Sequence, residues 1–166
     1  MYLGDRPDGE ARHCVIGFPR ERVFIDPGYL CFNPLPLQPD THQRFVRPHN
    51  LLHLEIKDST HLNISTERKG EKTWRYTLNT KPVDRSQFEK AWRESFGWKS
   101  VMNSRVLTRI REQDMILYLN GRLESITRDK RSQLTVPTGR NQSTYLSQLF
   151  GLDKTLIQKF KLELHE

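Results

Sequence analysis

Between Asn50 and Asn79 the apolar positions recur every second residue. In LLHLEIKD, Leu52, Leu54 and Ile56 fall on one face and His53, Glu55 and Lys57 on the other, the period of a half-buried strand. HLNISTERKGEKTWRYTLN repeats the alternation on both sides of Lys69-Gly70, with Leu62 and Ile64 before that turn and Trp74, Tyr76 and Leu78 after it. The segment therefore predicts a three-stranded antiparallel meander with one apolar face. DRSQFEKAWRESFGW predicts its cover: Asp84 caps a helix, Gln87 completes a capping box, and Phe88, Ala91, Trp92 and Phe96 follow at helical spacing. VMNSRVLTRIREQD reads as a second helix through Met102, Val106 and Ile110. MILYLNGRLESI is a hairpin turning on Asn120-Gly121.

The N-terminal third is less regular. Short apolar pieces, CVIGF and RVFIDPGYLCF, flank turn chemistry at Asp26-Pro27-Gly28 and suggest two short strands around it. The prolines of NPLPLQPD, Asn33 to Asp40, interrupt ladder bonding and predict an extended, polyproline-like path that covers or links. The expected fold class is α+β: an antiparallel sheet, meander plus hairpin, covered by one or two helices, with a helical C-terminal segment. Residues 1–131 would form the α+β domain, and 132–166 a loop followed by a helical hairpin.

That closing stretch, STYLSQLFGLDKTLIQKFKLELHE, has the spacing of a helix-turn-helix. Ser147, Gly151 and Ile157 stand where two helices must cross closely, and Asp153 can cap the second helix. The competing reading, an amphipathic hairpin docking through Leu146, Leu149, Ile157 and Phe160, is the preferred one, because the supporting third helix is replaced by the loop TVPTGRN.

Charge shifts the functional expectation. The 166 residues carry 27 Lys and Arg against 20 Asp and Glu, a net charge of +7, which favours a polyanionic partner. The expected function is a non-enzymatic, basic nucleic-acid-binding module touching DNA or RNA through Arg105, Arg109, Arg111, Arg122, Arg128, Lys130 and Arg131, and through Lys154, Gln158, Lys159 and Lys161 of the C-terminal helix. The alternative is a structural or protein-interaction subunit of a larger assembly, docking through the extended N-terminal region. A third reading is a Mg-dependent nuclease, since Asp40 and Glu55-x-Lys57 have the spacing of a PD-(D/E)xK site.

No cofactor and no metal are expected. Cys14 and Cys31 are too few for a disulfide framework or a metal site, and suggest a reducing, intracellular compartment, cytoplasmic or nuclear. His42, His49, His53 and His61 fall close together, but a strand sets His49 and His53 about 13 Å apart at ~3.3 Å per residue, too far to share a metal. His53 and His61 are read as surface residues. No apolar run approaches the ~18 residues of a membrane span.

Overall fold

The structure, a computed structural model, describes residues 1–6, 12–94, 106–139 and 141–162. The chain divides into two compact units, 1–103 and 104–166.

The first unit is a single eight-stranded antiparallel sheet built from two meanders. One comprises β1 (Tyr2–Asp5), β2 (Arg12–Phe18), β3 (Val23–Asp26) and β4 (Cys31–Pro36). The other comprises β5 (Gln43–Val46), β6 (Leu51–Asp58), β7 (His61–Arg68) and β8 (Glu71–Asn79). They join where β1 pairs with β8, Gly4 opposite Leu78, giving the order β4-β3-β2-β1-β8-β7-β6-β5.

The predicted meander is present, but its apolar face is not covered by a helix. Leu52, Leu54, Leu62, Ile64, Tyr76 and Leu78 share one buried cluster with Tyr2, Val15, Phe24, Cys31, Leu35 and Leu37 of the other meander. Residues from opposite ends of the strand order can meet in this way only if the sheet curls, so the sheet buries itself as a half-barrel. Each fully buried Leu, Ile or Phe contributes roughly 1.5–3 kcal/mol, and the curl supplies this burial without a helical layer.

Helix α1 (Arg85–Glu94) has the predicted capping box: Asp84 Oδ1 accepts from the Gln87 amide at 2.8 Å, and the Asp84 amide donates to Gln87 Oε1 at 3.3 Å. It packs beside β2 and buries Ala91, while Trp92 remains 50% exposed. Phe96 and Met102 lie outside the described residues.

The proline segment also departs from expectation. Cys31–Pro36 is a ladder strand, with Pro36 opposite Val23 and Leu35 opposite Phe24. Proline is tolerated there because β4 is the edge of the sheet, where a missing N–H breaks no second ladder. The two strands predicted around Asp26-Pro27-Gly28 are β3 and β4.

In the second unit, β9 (Val106–Ile110), β10 (Met115–Leu119), β11 (Arg122–Ile126) and β12 (Arg131–Leu134) form a separate four-stranded antiparallel sheet. The β10–β11 hairpin turns on Asn120 and Gly121, both at positive φ (50° and 79°), as that dipeptide predicts. It belongs with the C-terminal helices, not with the 50–79 strands, so the units part near residue 103 where the sequence placed a division at 131. The helix expected through Val106 and Ile110 is strand β9, whose β-branched residues gain a ladder with β10 that no isolated helix could match.

Helices α2 (Asn141–Phe150) and α3 (Lys154–Leu162) lie on this sheet. Leu146, Phe150 and Ile157 pack with Ile116, Tyr118 and Leu123, flanked by Leu149. Gly151 at φ 67° ends α2, and Asp153 Oδ1 accepts from the Thr155 amide at 2.7 Å to start α3. The pair is thus a hairpin docked on a sheet through the apolar residues named for that role, and the helix-turn-helix reading falls. The Phe160 side chain lies outside the described residues.

Candidate active site

Among the described residues of the half-barrel, Asp26 is the buried carboxylate that meets an imidazole. Asp26 ends β3, 1% exposed, and His13 stands on neighbouring β2. His13 Nε2 meets Asp26 Oδ1 at 2.8 Å, with the His13 side chain 14% exposed. The carboxylate is held from two further directions. Tyr76, on β8, donates its hydroxyl to Asp26 Oδ2 at 2.5 Å, and the Tyr29 amide donates to Oδ1 at 3.2 Å. Both oxygens are therefore engaged, which fixes the plane of the carboxylate and with it the imidazole.

Local sequence explains the placement. Asp26 caps a 3-10 turn, Pro27–Tyr29, in which Pro27 presets the first turn residue. Leu30 follows in the left-handed region at φ 57°. Arg47, the residue after β5, clasps this loop: its Nη2 donates to the Tyr29 carbonyl at 2.7 Å and the Leu30 carbonyl at 3.1 Å. The loop carries Tyr29 to the imidazole, edge-on to His13 at 5.0 Å between centroids, where it stacks on Tyr76, itself 4.3 Å from His13.

The tautomer follows from these contacts. A carboxylate can only accept, so His13 Nε2 carries the proton and Nδ1 of the neutral ring is left with its lone pair. Gly28 keeps that edge clear: a Cβ at position 28 would stand 2.7 Å from His13 Cε1 and 3.6 Å from Nδ1. The arrangement is a carboxylate-oriented imidazole whose Nδ1 lone pair can accept a proton.

Neither thiol nearby is poised to complete it. Burial pushes the Cys31 thiol up to about 11, and its Sγ lies 3.6 Å from the Tyr29 carbonyl. Burial also raises Cys14. The Tyr76 hydroxyl is pushed well above its ordinary value by burial and by the Asp26 charge, which fixes it as a donor.

The sites named from sequence are placed elsewhere. Arg109 donates to the Leu149 carbonyl at 2.7 Å, tying β9 to the end of α2. Arg111 forms a two-point pair with the buried Asp114, at 2.6 and 2.5 Å, and Arg131 pairs with Glu124. Three of the expected phosphate contacts are thus bound within the unit. Arg122, Arg128, Lys130, Lys154, Gln158 and Lys159 are exposed, whereas Arg105 and the Lys161 side chain lie outside the described residues.

The nuclease spacing dissolves as well. Glu55 is held by Lys72, Nζ to Oε1 2.6 Å, which lowers its carboxyl, and Asp40 lies in the bend after β4. Among the described residues no group of three or more His, Cys, Asp and Glu side chains is disposed to hold a metal ion. No helix among them is long and apolar enough to cross a membrane. His13 was absent from the sequence reading, and Asp26 entered it only as a turn residue. The one signal was a histidine within an apolar strand thirteen residues before an Asp-Pro-Gly turn, and nothing in that spacing announces contact.

No family model matches the chain, and no curated protein matches it. Solved structures do. An N-arylamine acetyltransferase of Mycobacterium smegmatis, in a cysteine-to-glutamine variant, superposes with a TM-score of 0.64 at 17% identity, over 92% of this chain and 61% of its own. The fold is that of the arylamine N-acetyltransferases. The Mycobacterium marinum arylamine N-acetyltransferase in complex with CoA gives 0.67 at 14% identity, over 96% of this chain and 66% of its own. The enzyme of Salmonella typhimurium gives 0.63 at 18% identity, over 91% and 60%. The chain spans about three fifths of the length of these acetyltransferases. The likeness replaces the expected nucleic-acid-binding module, and with it the nucleic-acid partner and the helix-turn-helix, since the neighbours are acetyltransferases and one of them holds CoA.

Proposed function

We propose that this chain carries the general base of an acyl transferase of the arylamine N-acetyltransferase kind, with His13 as the base, Asp26 as its orienter and acetyl-CoA as the donor. The observation that carries the reading is the buried His13–Asp26 pair with its Nδ1 edge kept clear by Gly28. His13 Nδ1 takes the proton of a nucleophile as it attacks the thioester carbonyl. The CoA thiolate leaves and takes a proton from the imidazolium, so amine and acetyl-CoA become amide and free CoA. Asp26 stabilises the imidazolium in between. Because the Cys14 and Cys31 thiols are held protonated, the base acts on an amine or thiol brought to it. An intracellular setting, where acetyl-CoA and reduced thiols coexist, fits the two free cysteines.

The test is release of free CoA from acetyl-CoA with an aromatic amine as acceptor. His13→Ala and Asp26→Asn should each lower kcat/KM by about 10²–10⁴-fold, with the far-UV circular dichroism of His13→Ala unchanged. Wild-type protein that transfers no acetyl group, or a His13→Ala variant as active as wild type, would overturn the assignment.

A further inference from the structure

A pair of imidazoles lies outside the His13–Asp26 site and is independent of the function proposed for it. His53, on β6, is buried, and His42 directly precedes β5, the strand that pairs with β6. His42 Nε2 and His53 Nδ1 face each other at 3.2 Å, with ring centroids 5.3 Å apart. The outer nitrogens each face a carboxylate. His53 Nε2 meets Glu67 Oε2 at 2.9 Å, and His42 Nδ1 stands 4.0 Å from Glu55 Oε1. Strand register builds this arrangement: His53 opposes Ser65, so Glu67 two residues on is its diagonal neighbour on the same face.

We propose that His42 and His53 form a divalent-cation site for a borderline metal such as Zn²⁺, with water in the remaining positions. Four features support it. The Glu67 carboxylate can only accept, so His53 Nε2 carries the ring proton and Nδ1 presents a lone pair to His42. Carboxylate behind a ligating imidazole is the common outer partner of zinc-bound histidine, fixing its tautomer and raising its basicity. Two nitrogens on one tetrahedral Zn²⁺ lie about 3.3 Å apart for Zn–N of about 2.0–2.1 Å, and this pair is at 3.2 Å. Entry is open, because the His42 side chain is 48% exposed while His53 is 7% exposed.

Without metal, the His42 Nε2 proton bridges the gap. On binding it moves to Nδ1, which faces Glu55, and the cation takes its place with no net change in protons. Lys72 at 2.6 Å keeps Glu55 ionised and in position. Only two protein side chains ligate, so the site is weaker than a closed structural zinc site and exchanges readily.

The experiment is Zn²⁺ titration of the full chain, stripped with chelator, against a chromophoric zinc indicator, with Co²⁺ absorption as a second readout. One equivalent should bind tightly enough to compete. His42→Ala should abolish it, and Glu67→Gln should weaken it by roughly 10–100-fold. His61→Ala, which removes a separate histidine 2.9 Å from Asp58, should leave it unchanged. The proposal is overturned if wild type and His42→Ala bind Zn²⁺ equally, if the equivalent is lost with His61 instead, or if no equivalent binds, in which case the two rings only share a proton.

Discussion

Replacing Tyr76 by Phe isolates one of the hydrogen bonds that hold Asp26 in place. Tyr76 is fully buried and its hydroxyl donates to Asp26 Oδ2 at 2.5 Å. Phenylalanine keeps the ring against His13 and Tyr29, so the change removes a donor from a buried carboxylate and little packing. A hydrogen bond to a charged group contributes about 1.5–3 kcal/mol, and that is the expected loss in unfolding free energy at pH 7. The loss should depend on pH. Burial and the Asp26 charge raise the folded-state Tyr76 ionisation above that of the unfolded chain, where it lies near 10. A group raised in the folded state contributes its full stability below the unfolded value and loses it as pH climbs. Wild-type stability should therefore fall above pH ~10 at up to about 1.4 kcal/mol per pH unit, and Tyr76→Phe should lack that share of the slope. Urea unfolding of both proteins at intervals from pH 7 to 11 measures it, since the difference between them cancels the other tyrosines. A deficit under about 0.5 kcal/mol at pH 7, well short of what a charge-assisted bond contributes, or parallel curves above pH ~10, would refute the reasoning.

Two further substitutions probe the half-barrel. Gly28→Ala sets a Cβ against His13 Cε1 and should displace the imidazole; acetyl transfer should drop by about 10²-fold while the far-UV circular dichroism stays unchanged, and retained activity would show that this edge of the ring is not the one used. His49 is held down to about 4 by burial and by the Arg47 and Arg68 cations. Its folded value lies below the unfolded one of ~6.5, so protons favour the unfolded chain and stability falls as pH drops from ~6.5 toward 4; in His49→Gln the same unfolding titration should be flatter across that window by up to about 1.4 kcal/mol per pH unit.

The sequence by itself determined what is local. Period-two alternation placed β6, β7 and β8. Asn120-Gly121 fixed a hairpin because two consecutive positive-φ residues leave the chain few alternatives. Asp84 and Gln87 marked the start of α1, and the apolar residues of α2 and α3 marked a docked hairpin. Each of these rests on neighbours a few residues apart. Strand β9 was misread because Met102, Val106 and Ile110 satisfy a helical period as well, and only the partner strand β10 decides between the two.

Tertiary structure decided what covers the apolar face and what the polar residues do. A sheet face needs burial, but alternation does not say whether a helix or the curl of the same sheet supplies it; pairing β1 with β8 joined the meanders and chose the curl. The same pairing set Tyr76 beside Asp26, fifty residues away in sequence, and the β2–β3 neighbourhood set His13 against it. Basic residues that suggested a phosphate surface were drawn into pairs with Asp114 and Glu124 once strands β9 to β12 aligned. Charge and turn chemistry are properties of single residues and can be counted, whereas a buried carboxylate set against an imidazole is a property of distance, which exists only after the sheet has curled.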